Sequence, residues 1–138
     1  MKIIDKMMNL FVGCGKSTTT KELEAIPTTD KIDFNQTFNI NQKGMQCEKD
    51  QDIPNAIKYY EQCLQHKFEG SYPYRRLAIL YRKQKDYDNE IRVLETAISI
   101  FNDIRSKGSR ELELSKKITD FQNRLDKARI LKEKQQGQ

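Results

Sequence analysis

The chain has 138 residues, 36% hydrophobic and 33% charged, with a formal net charge of +5. That length holds one domain, and the charged third suits a solvated helical protein with a modest core. Three cysteines and one histidine, with no Cys-x-x-Cys, exclude a disulfide scaffold and a conventional zinc site.

Met1–Val12 has Ile3, Met7 and Leu10 or Phe11 at helical spacing, which fits a short amphipathic helix. It is too short to cross a bilayer. Gly13-Cys14-Gly15-Lys16-Ser17-Thr18 invites comparison with a phosphate-binding loop, but Leu10 stands where that loop needs its first Gly. No strand precedes it. Phe11-Val12-Gly13-Cys14 resembles the cleavage box of bacterial lipoproteins. Against membrane anchoring through Cys14 stand Phe11 in place of Leu, Asp5 in the leading segment and a short apolar run. The preferred reading is a flexible linker in a cytoplasmic protein, with a membrane lipoprotein as the alternative. Thr19 with Glu22 three residues on fits a capping box for a helix over Thr18–Ile26. Pro27 stops it, and Pro27–Asn35 reads as a polar linker.

From Thr37 the pattern is helical. Asp52 before Ile53-Pro54 is an N-cap followed by Pro in the first turn. Ile57, Tyr60 and Leu64 keep helical spacing, as do Ile91, Leu94 and Ile98. His66 reads as a favourable residue at a helix C-terminus. Gly70 is expected to end that helix and Ser71 to cap the next. Asp86 or Asp88 can cap a helix running to Phe101. Cys47 and Cys63 fall on packing positions and read as small apolar core residues.

Two of these segments are one pattern repeated. Tyr74, Leu77, Ala78, Tyr81, Leu94 and Ala97 lie 34 residues after Ile40, Lys43, Gly44, Cys47, Tyr60 and Cys63. The period, with small residues where one helix crosses another, resembles the tetratricopeptide helix-turn-helix repeat over Thr37–Asn102, about two copies. Lys43 in place of Leu, Glu90 where the first copy has Ala56, and the absent closing Pro depart from that family. The resemblance implies an all-α fold of antiparallel helix-turn-helix repeats, here 37–70 and 71–104 within a repeat domain over 37–134, behind an N-terminal segment of 1–36.

Glu90 must find a cation if it lies at the helix crossing, and Arg76 and Arg82 are the candidates. A last helix is expected over 109–134, capped by Ser109 and favoured at its start by Glu111 and Glu113. Its apolar stripe is Leu114, Ile118, Phe121, Leu125 and Ala128. That stripe suits a cap on the repeats better than a dimer seam, being short for an independent coiled coil. A monomer or weak dimer follows.

The charge is uneven: residues 1–36 sum to 0, 37–70 to −1, and 71–138 to +6. Acidic peptides, acidic protein surfaces and nucleic acid all suit such a half, and so does a solvated basic face without a role. No residues stand at enzyme-like spacing, and neither cofactor nor metal is expected. The resemblance implies a protein-protein interaction module whose first helices line a groove for a peptide or partner helix. The groove residues it implies are Asn41, Met45 and Glu48 from the first copy and Tyr72, Arg75, Ile79 and Arg82 from the second. Reversing Arg75 and Arg82 to Glu is expected to abolish partner capture at unchanged melting temperature. Nucleic-acid binding through the basic C-terminal half is the alternative function.

Overall fold

A computed structural model describes residues 33–108 and 110–137. The readings placed on Met1–Val12, on Gly13–Thr18 with Cys14, on Thr18–Ile26 and on Ser109 lie outside those residues. The described chain is helical and, among the described residues, without strands: α1 (Phe34–Lys49), α2 (Ile53–Gln65), α3 (Tyr72–Lys83), α4 (Tyr87–Ser106) and α5 (Glu111–Gln136). Its contacts divide after Phe68 into two compact units.

In the first unit α1 packs along α2. Helix α1 starts at Phe34, three residues before the expected boundary, because Asp33 and Gln36 form a capping box. The Gln36 amide donates to Asp33 Oδ1 at 2.8 Å, and the Asp33 amide donates to Gln36 Oε1 at 3.0 Å. The core is Thr37, Ile40, Gly44 and Cys47 from α1 against Ala56, Tyr59, Tyr60 and Cys63 from α2. At Gly44 the helices come as close as a residue without Cβ allows: an added Cβ would lie 2.7 Å from Tyr60 Cε1. The Tyr60 hydroxyl donates to Glu48 Oε1 at 3.0 Å, so the ring is held over Gly44 from both ends.

Helix α2 ends at Gln65 rather than at Gly70. The Lys67 amide donates to Leu64 O and the Phe68 amide to Cys63 O, with Lys67 left-handed at φ 56°. This is the Schellman ending. An apolar residue just past such a turn packs back on the helix, and Phe68 does so, 6% exposed and stacked on Phe34 at 5.3 Å between ring centres. The burial of Phe68 offsets the cost of a left-handed Lys, which is why Gly is not needed there.

In the second unit α3 packs on α4 and α4 on α5. Helix α3 buries Tyr74, Leu77, Ala78 and Tyr81, and α4 buries Val93, Leu94, Ala97 and Phe101. All five stripe residues of α5, Leu114, Ile118, Phe121, Leu125 and Ala128, are buried. Tyr74, Phe101 and Phe121 form an aromatic centre, with Phe101 stacked on Phe121 at 5.7 Å and Tyr74 edge-on to both. Burying each large apolar side chain contributes up to about 2–3 kcal/mol, so this centre and the α5 stripe dominate the unit.

Two expected caps differ. Ser71 makes no capping bond, because its ψ of −13° keeps it in the helical region and turns its hydroxyl away from the first free amides. The residue before α5 is Arg110, left-handed at φ 55° and without a side-chain acceptor to offer. Helix α4 runs to Ser106, past the expected Phe101. It closes at Gly108, whose φ of 91° favours glycine.

The 34-residue period reappears, bond by bond, in the turns. After α1 the Gln51 amide donates to Glu48 O and the Asp52 amide to Cys47 O; after α3 the Lys85 amide donates to Arg82 O and the Asp86 amide to Tyr81 O. Gln51 and Lys85 are left-handed at φ 64° and 57°. Asp52 then caps α2 by accepting from the Asn55 amide and side chain, and Asp86 caps α4 by accepting from Asn89 in the same two ways. One Asp closes a helix with its backbone and opens the next with its carboxylate, which keeps each turn to three residues.

Candidate functional site

The seven expected groove residues fall on two helix faces. Asn41, Met45 and Glu48 follow steps of four and three along α1; Tyr72, Arg75, Ile79 and Arg82 follow steps of three, four and three along α3. The last three of the α3 set lie 34 residues after the α1 set. Each set is one helix stripe.

On α1 the side chains are largely committed. Asn41 is 5% exposed; its Nδ2 approaches Met45 Sδ at 3.8 Å and its Oδ1 has no hydrogen-bond donor among the described residues. Glu48 is half-buried and accepts from Tyr60. Met45 is half-buried. The exposed large apolar residues of this helix are instead Phe34 at 57% and Phe38 at 43%, stacked on one another at 6.3 Å. Phe38 is the repeat counterpart of Tyr72, a correspondence that the period alone could have supplied.

On α3 the four residues are half-buried. Arg82 is the most constrained. Its Nε donates to Glu90 Oε2 at 2.8 Å, and its second guanidinium nitrogen lies 2.6 Å from the same oxygen. It also reaches the Arg124 carbonyl of α5 at 3.5 Å. Glu90 is 1% exposed, and its Oε1 has no donor among the described residues. Of the two cations expected for Glu90, the structure pairs it with Arg82, and that bridge ties α3 to α4. The expectation that Arg82 can be reversed at unchanged melting temperature is therefore corrected, because Glu at 82 would face a buried carboxylate. Arg75 differs from Arg82: it has no ion pair among the described residues, and Ile79 follows it one helical turn along.

Half of the sixteen lysines and arginines of the second unit face carboxylates. Arg105, Lys107, Arg110, Lys117, Arg124, Arg129 and Lys132 each lie within 4 Å of a carboxylate, as does Arg82. Lys117 holds the Glu113 carboxyl below its ordinary value through a 2.7 Å hydrogen bond. Among the described residues no group of three or more His, Cys, Asp or Glu is placed to hold a metal. None of their helices is long and apolar enough to cross a membrane.

Both described cysteines are buried. Cys63 is a free thiol, fully buried, facing the Thr37 carbonyl at 3.7 Å. Burial pushes its pKa from 9.0 to about 12. Cys47 is also buried, at the packing position expected for it. An open groove of about 460 Å³ runs between α4 and α5, floored by Ile98 and Leu125 and edged by Glu95, Asp126 and Arg129.

No family model, no curated protein and no solved structure matches the chain.

Proposed function

We propose that this protein is a small tetratricopeptide-like interaction module that docks a protein segment on the stripe of α3 formed by Tyr72, Arg75 and Ile79. The observation that carries the reading is Arg75, a half-buried cation with no ion pair among the described residues, beside a half-buried Ile79. A cation without an acid next to apolar surface suits a partner segment that brings a carboxylate and an apolar side chain together. The buried side of α3 is consistent with this, since Tyr74, Leu77, Ala78 and Tyr81 carry its core packing. Arg82 contributes by holding the hairpin rigid. Nucleic-acid binding draws less support, because eight cations of the second unit already face carboxylates.

The test is a photo-crosslinking residue at position 79, with a second at exposed Gln122 as control, in cells that express the chain. The expected result is a discrete protein adduct from position 79, absent from 122 and lost in Arg75→Glu. Arg75 has no ion pair to lose, so the melting temperature of Arg75→Glu should match the parent within about 2 °C, as for surface substitutions. An undiminished adduct in Arg75→Glu would refute the assignment of this stripe. Adducts that disappear on nuclease treatment would move the function to nucleic acid.

A further inference from the structure

We draw no further inference here: the strongest candidate, the open groove between α4 and α5 lined by Glu95, Ile98, Gln122, Leu125, Asp126 and Arg129, carries nothing because nothing in the structure shows what covers it.

Discussion

Removal of Arg82 should cost far more than removal of the residue it pairs with. Glu90 is 1% exposed and Arg82 has 36% of its side chain in solvent, so the two ends of the bridge are not equivalent. In Arg82→Ala the buried carboxylate keeps its desolvation cost and loses both guanidinium contacts, which amounts to about 3–5 kcal/mol. In Glu90→Ala the guanidinium can turn to water, and the loss is mainly the packing of two methylenes, on the order of 1–2 kcal/mol. The double variant should resemble Glu90→Ala, because the first repeat already folds with Ala56 at the equivalent position, fully buried. Urea unfolding followed by circular dichroism measures all three, with a double-mutant coupling of about 2 kcal/mol or more expected. By melting temperature, Arg82→Ala should fall by roughly 10–20 °C. If Arg82→Ala costs no more than Glu90→Ala, or if the two losses simply add, the pair is not a buried bridge and the argument fails.

Gly44→Ala gains about 1 kcal/mol of helix propensity, but its Cβ meets the Tyr60 ring at 2.7 Å. Overpacking of that kind costs about 1–3 kcal/mol, so a net loss should appear in urea unfolding, and Tyr60→Leu should relieve it; a more stable Gly44→Ala would refute the close approach. Lys85→Gly should stabilise by up to about 1 kcal/mol, since Lys85 sits at φ 57° where glycine pays no steric penalty; a loss would mean that the turn is not left-handed. Cys63 should resist alkylation at pH 8 in the folded protein and react readily in urea, read by mass spectrometry of its peptide, because only the thiolate reacts and burial holds the pKa near 12. Folded, Cys63 binds its proton more tightly than unfolded. Its contribution is therefore complete below about pH 9 and is lost as pH rises toward 12. Cys63→Ala should remove that part of the alkaline loss, and an unchanged slope would refute it.

What was legible in the sequence is what periodicity and turn chemistry encode locally. The α5 stripe could be read residue by residue because steps of four and three allow one buried face, and all five residues occupy it. Asp52 and Asp86 were legible as caps for the same reason. Asp33 was equally available through Asp-x-x-Gln, but the polar run around it favours a linker reading until a helix has to begin. The end of α2 was misplaced because Gly70 is the stronger local signal, whereas Phe68 gains more by burial two residues earlier. The proposed stripe was the least legible part. Which of its side chains remains available depends on bonds made across the hairpin: Glu48 to a tyrosine twelve residues on, Arg82 to a carboxylate eight residues on. Helix spacing puts these residues on one face and is silent about such claims on them.

The two hairpins solve the same crossing with different chemistry while keeping one turn. Asp–Asn capping, the left-handed residue before it and the paired backbone bonds recur at 34 residues unchanged, as closing a short hairpin demands. At the crossing the first copy uses a bare Gly44 under Tyr60 and a buried Ala56. The second has Ala78 and Leu94 in the places of Gly44 and Tyr60, and Glu90 in the place of Ala56. A carboxylate there needs a cation on the facing helix. The position that supplies it, 82, is the counterpart of Glu48, which in the first copy reaches inward to Tyr60. Both copies thus spend the last residue of the stripe on the hairpin itself. Along α3 that leaves Arg75 and Ile79, and it is there that substitutions should separate binding from folding.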